Sequence, residues 1–136
     1  MKRASMQLIV RLRNRRGAVL VEFVLVSLIL MFTIIGVIEF GRAVWTHNSL
    51  GHAAREGARW AIVRGNQSGR VADTAAVSAF VMSRTSIRPI AIATAWAPNK
   101  DPGSTVTVNV QHQFRAVVPI IPAITLSSRS RLVVSF

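Results

Sequence analysis

Residues 18–38 carry one charged side chain, Glu22, and six basic residues with no acid stand directly before them. These 21 residues, wound as a helix at 1.5 Å per residue, span roughly 30 Å, the thickness of a bilayer's hydrocarbon core. The segment therefore reads as a transmembrane helix. Residues 1–17 hold Lys2, Arg3, Arg11, Arg13, Arg15 and Arg16, and these interrupt the apolar Met6, Leu8, Ile9, Val10 and Leu12 too often for insertion into lipid. That leader stays in the cytoplasm. Positive flanks face inward, and the leader's charge exceeds that of Arg42, Arg55 and Arg59, so the remainder of the chain lies outside.

Composition sharpens this reading. Apolar residues make up 51% of the 136-residue chain, but the excess sits in one block, leaving fewer than a hundred residues for one modest extracytoplasmic module. The net charge of +12 raises the possibility of nucleic-acid binding, yet half of it lies in the leader, where it serves topology. From Ala18 onward there are eleven basic and five acidic side chains. No cysteine is present, which excludes disulfides, zinc–thiolate sites and a thiol nucleophile. A cleaved secretory signal is the rival reading, with Gly41-Arg42-Ala43 as its small-x-small site. Its apolar region would exceed the usual length of about 7–15 residues and would contain an acid.

The helical pattern continues beyond the apolar run. Glu39 and Arg42 are three apart, His52 and Glu56 four apart, and no proline occurs before Pro89, so one helix extends to about Val63. Trp45 falls just past the apolar core, where an indole favours the interface. Ala53, Ala54, Gly57, Ala58 and Ala61 form a stripe of small residues that lets another element approach closely. That element belongs either to the same domain or to a neighbouring subunit. Gly65 suits a left-handed helix cap, and a shorter helix fits residues 71–84 with Ala76, Val77, Phe80 and Val81 on one side. The period then becomes two. Ile90, Ile92, Thr94 and Trp96 alternate with alanines, residues 98–103 signal a turn, and Val106, Val108 and Val110 share one face of a second strand. Pro119 and Pro122 make residues 115–123 a loop, and a last strand over 129–136 turns Leu132, Val134 and Phe136 inward. The expected fold class is α+β: a long N-terminal helix, transmembrane then extracytoplasmic, followed by a short helix and an antiparallel sheet of about three strands. The expected divisions are residues 1–17, 18–38, 39–64 and 65–136.

Glu22 needs a reason to be in lipid, because a carboxylate there costs a few kcal/mol. It either snorkels or stays neutral near the cytoplasmic interface, or it meets a cation. Cleavage after Gly17 would supply one, since the new ammonium on Ala18 lies four residues before Glu22 and can pair with the Glu22 of an adjacent subunit. Glycine lets the backbone leave helical geometry and enter a narrow protease site.

Gly17-Ala18 followed by Glu22-Phe23 is similar to the processing junction of type IV pilin-like proteins. More specifically, Val21-Glu22-Phe23, Glu39-Phe40-Gly41-Arg42 and Ala53-Ala54-Arg55-Glu56-Gly57-Ala58-Arg59-Trp60-Ala61 resemble the TadE family of minor pseudopilins, over roughly residues 16–64. The resemblance implies a pilin-like fold and a place in the tight adherence secretion apparatus that builds Flp-type pili. It implies cleavage between Gly17 and Ala18 by a prepilin peptidase, an assembly contact at Glu22 and Phe23, and helix packing at Ala54, Arg55, Glu56, Gly57, Ala58 and Arg59. The implied partners are the prepilin peptidase, other pilins and pseudopilins, the inner-membrane assembly platform and the lipid bilayer. The implied location is the bacterial inner membrane or the pilus itself, and the implied roles are pilus assembly, adherence and biofilm formation. Many members carry a proline partway down the apolar helix where this chain has Ser27-Leu28, which bears on a helix kink alone.

No enzymatic signature competes. His47 and His52 are five apart, not the i, i+4 spacing of a helical metal pair, and His112 is isolated. The acids are too dispersed for a dyad, and no phosphate loop or serine nucleophile motif occurs. No cofactor or metal is expected. The alternatives are a nucleic-acid- or surface-binding membrane protein and an uncleaved anchor of an unrelated periplasmic module. The head arginines are scattered without aromatic interleaving, so nucleic acid is not expected as a partner.

Overall fold

The computed structural model describes residues 2–118 and 121–135, with side chains from residue 17 onward. Expectations for the leader side chains, Pro119 and Phe136 fall outside the described residues. The elements in order are α1 (Lys2–Ile62), α2 (Thr74–Arg84), β1 (Ala91–Ala97), β2 (Thr105–Phe114) and β3 (Ile124–Val133). The chain divides into two compact units, Met1–Phe40 and Gly41–Phe136.

The first unit is helical throughout its described part, as a stretch without proline and rich in Leu, Ile and Val allows. Apolar side chains point to every side, and Val21, Phe23, Leu25, Ile29 and Phe32 are all exposed within the chain. A helix that is apolar all round needs an apolar solvent. The helix is long and apolar enough to cross a membrane. Its polar hydroxyl at Thr33 donates to the Ile29 carbonyl at 2.9 Å, removing a donor that hydrocarbon could not satisfy.

In the second unit, the last part of α1 lies against α2 and a three-stranded antiparallel meander in the order β1-β2-β3. Register runs from Ala91 opposite Gln111 to Ala97 opposite Thr105, and from Thr105 opposite Val133 to Phe114 opposite Ile124. The alternation in β2 buries Val106, Val108 and Val110 completely, and they meet Leu50, Ala54, Ala58 and Ala61 of α1 and Val77 and Val81 of α2 in one core. Each such valine contributes about 1.5–3 kcal/mol by burial. The small-residue stripe therefore packs within its own domain.

One cap and two boundaries differ from those expected. Gly65 does not take the left-handed conformation, since Arg64 N donates to the Ala61 carbonyl at 3.0 Å in a tight turn. The glycines with positive φ are Gly69 at 67° and Gly103 at 89°, the latter in the turn before β2. α2 starts at Thr74, not at residue 71, because Asp73 caps it: the Ala76 amide donates to Asp73 Oδ1 at 2.6 Å. β3 begins at Ile124, well before residue 129, because its inward residues include Ser128 and Ser130, which mute the apolar period while pairing with β2 extends the strand.

The strand's tail closes the unit. Val134 N donates to the Ser104 carbonyl at 2.7 Å, and Ser135 N donates to the Ile62 carbonyl at 3.0 Å at the end of α1. The Asp73→Ala variant is expected to lose about 1 kcal/mol. Thermal melting of the full chain in detergent should then record a Tm lower by about 4–8 °C, and an unchanged Tm would deny Asp73 its capping role.

Candidate functional site

The junction is built from one helix face. Gly17, Ala18, Val21, Glu22, Leu25 and Ile29 recur at helical spacing and line a shallow open surface along the first unit. Glu22 is exposed there, and no hydrogen bond or ion pair engages its carboxylate among the described residues. Space is open at Gly17, where an added Cβ would meet nothing within 4 Å. Phe23, 68% exposed, projects from a neighbouring position on the helix. Within the chain alone, a carboxylate and an aromatic ring stand uncovered on an apolar helix.

Farther along, Glu39 is 6% exposed and takes part in an interaction, whereas Phe40 is 72% exposed. Arg42 places its guanidinium 5.4 Å from the centroid of the Phe114 ring. Ala54 and Ala58 are fully buried, and Gly57 permits the closest approach of all: a Cβ there would overlap Val81 Cγ2 and sit 3.5 Å from Val108 Cγ1. Arg55 and Arg59 face outward, and Glu56 pairs with Arg84 at 3.5 Å. Both members of that pair are about half exposed, so it adds little to stability.

Residues 17–59 match a family model described as TadE-like protein. This segment is TadE-like. The match opens at Gly17 and closes at Arg59, so it takes in the junction and all of the stripe but Ala61, and leaves α2 and the sheet outside. No curated protein and no solved structure matches the chain.

The TadE-like segment thus contains both halves of the sequence pattern, but the structure gives them different work. The junction residues lie on one exposed helix face, while Ala54, Gly57 and Ala58 hold the second unit together. Several head cations are likewise committed to structure. Trp60 and Phe80 stack at 5.1 Å, with Arg64 4.1 Å from the Trp60 ring and Arg84 4.8 Å from the Phe80 ring. Lys100 lies 4.6 Å from the Trp96 ring and donates to the Ala72 carbonyl at 2.8 Å. His112 Nδ1 donates to the Pro89 carbonyl at 2.7 Å, and no group of three or more metal-capable side chains occurs among the described residues.

Sequence reading missed a groove in the second unit, formed where α1 meets the 85–89 segment and the end of β2. Arg42, Trp45, Arg88, His112, Phe114 and Arg115 border it. These residues are separated by as many as 73 positions, so no local motif announces them. The one available signal was Trp45, a large aromatic just beyond the apolar run.

Proposed function

We propose that the chain is a minor pseudopilin of a tight adherence pilus system, anchored in the bacterial inner membrane with its N-terminus cytoplasmic. The observation that carries this reading is the junction: Gly17, Ala18 and Glu22 share one exposed helix face, at the point where the TadE-like match begins. A prepilin peptidase cuts after Gly17 and frees the Ala18 amine. That ammonium then pairs with the Glu22 of a neighbouring pilin or pseudopilin inside the hydrocarbon, where both charges gain by leaving isolation. Removal of residues 1–17 also takes away the six positive charges that would hold the helix at the cytoplasmic face. The protein's own chemistry is to be cut and packed, in the service of pilus assembly, adherence and biofilm formation. The engagement of Arg64, Arg84 and Lys100 by rings and carbonyls favours this reading over one in which the head binds nucleic acid.

Mass spectrometry of the protein taken from its own membrane tests the proposal. An N-terminus at Ala18 is expected. Retention of Met1 would mean an uncleaved anchor, and a start at Val44 a secreted protein. The Gly17→Ala variant is expected to be processed about tenfold or more slowly, since the added methyl restores helical preference by about 1 kcal/mol and narrows access to the scissile bond.

A further inference from the structure

The sheet of the second unit has two unpaired edges, and they are not alike. In the order β1-β2-β3, only β2 has a strand on each side. The edge of β1 is seven residues long, largely alanine, and flanked by Pro89 and Pro98. That of β3 runs for ten residues without proline. Beyond its pairing with β2, no hydrogen bond engages Ile124–Val133 among the described residues. Such an edge presents a row of N–H and C=O groups to any extended chain that reaches it.

Positive charge is concentrated along that same edge. Arg129 and Arg131 alternate with the inward Ser128 and Ser130, so both stand exposed on the uncovered face of the sheet, about 7 Å apart along the strand. Their cross-strand neighbours are Asn109 and Thr107, both neutral. On the inner side, α1 runs alongside β3. A Cβ added at Gly51 would lie 3.3 Å from Ser128 Oγ and 3.4 Å from Arg55 Nη1, and the Ser135 amide reaches the Ile62 carbonyl farther along the helix. Arg55 and Arg59 lie between those two contacts, one turn apart and both exposed. None of these four arginines joins an ion pair or hydrogen bond among the described residues. The acids of the second unit are occupied elsewhere: Glu56 with Arg84, Asp73 at the cap of α2, and Asp101 with the side-chain amides of Asn66 and Asn99.

We propose that the free edge of β3 binds an extended acidic segment of another polypeptide, which joins the sheet as a fourth strand. The backbone edge selects a polypeptide, because a peptide chain carries N–H and C=O groups at the matching period. The arginines select acid: carboxylates at every second position of the new strand would meet Arg129 and Arg131, and those on its other face would meet Arg55. A second copy of β3 fits poorly, since it brings its own arginines to the same edge. A nucleic acid lacks the backbone complementarity, and β3 offers it no aromatic ring for stacking. The edge lies wholly within the second unit, so its binding is independent of membrane insertion and of cleavage at Gly17.

The probe is a fluorescein-labelled peptide in which glutamate alternates with threonine, of the same length as β3, titrated into the full chain in detergent and read by anisotropy. Saturable binding is expected. Arg129→Gln should weaken it about threefold, whereas the charge-matched Arg70→Gln, in the loop before α2, should leave it unchanged. Strand pairing is read on the peptide, where the folding of a variant plays no part. Methylating every backbone nitrogen of the peptide keeps its charge but removes its donors, and should weaken binding about tenfold or more. Equal binding by the methylated peptide, or by a single-stranded oligonucleotide of the same charge, would mark a general polyanion surface and overturn the strand site. An equal loss in both arginine variants, or no binding by the parent peptide, would overturn it as well.

Discussion

Replacing Gly57 with leucine is expected to remove about 3 kcal/mol or more from the stability of the second unit. The position where its Cβ must go is already occupied by Val81 Cγ2, and Val108 Cγ1 stands 3.5 Å away on the sheet side. Neither neighbour can yield easily, because both valines are fully buried and branched at the β-carbon. Thermal melting should record the loss at about 4–8 °C per kcal/mol. Alanine at the same position separates sterics from helix propensity: it gains about 1 kcal/mol as a helix former, yet its methyl still strikes Val81. A net fall in Tm is therefore expected for Gly57→Ala. Adding Val81→Ala should recover part of the loss through coupling of neighbours. A higher Tm for Gly57→Ala alone would contradict the close approach.

The second large effect concerns assembly and leaves the fold untouched. Glu22→Ala should be cleaved after Gly17 as efficiently as the parent, because the carboxylate is not at the scissile bond. Its subunits should then associate more than a hundredfold less well, since deleting one partner of a buried pair leaves an uncompensated ammonium worth about 3–5 kcal/mol. Cross-linking of subunits in cells, read alongside the N-terminal mass, measures both steps at once. Glu22→Gln keeps the shape and a hydrogen-bonding oxygen but discards the charge, and is expected to fall between the two. Normal pilus formation by Glu22→Ala would sink the ion pair.

Much of this architecture is legible in the sequence because its signals are local. An apolar run of membrane length, valines at every second position and alanines at helical spacing each state which face must be hidden. The first strand and the central strand follow directly from that rule, as Ile92, Thr94 and Trp96 and then Val106, Val108 and Val110 turn inward. The rule weakens where polar residues take inward positions. Ser128 and Ser130 lie opposite Val110 and Val108 and are half-buried and buried, so polar side chains occupy inward positions at the start of β3 and mask its apolar period. The helix ends within one residue of the expected Val63, but Gly65 is buried and turns without a positive φ, leaving that conformation to Gly69. The junction residues were legible as a motif, but their shared exposure is a fact of the folded helix. The Trp45 groove was legible only in part, because Arg88, His112 and Arg115 reach it through tertiary packing.

The bond from Ser135 to the Ile62 carbonyl has a consequence for the order of events during synthesis. A chain made from its N-terminus presents α1 first, long before the residue that caps its far end exists. Until residues 124–133 emerge, the valines of β2 lack their outer strand, and until Ser135 emerges α1 retains an open carbonyl end. Membrane capture of the helix and closure of the second unit are thus separated in time by the translation of more than seventy residues. In that interval the half-made unit offers β2 as an unpaired edge, and a ribosome stalled before Ile124 would hold an adhesive fragment.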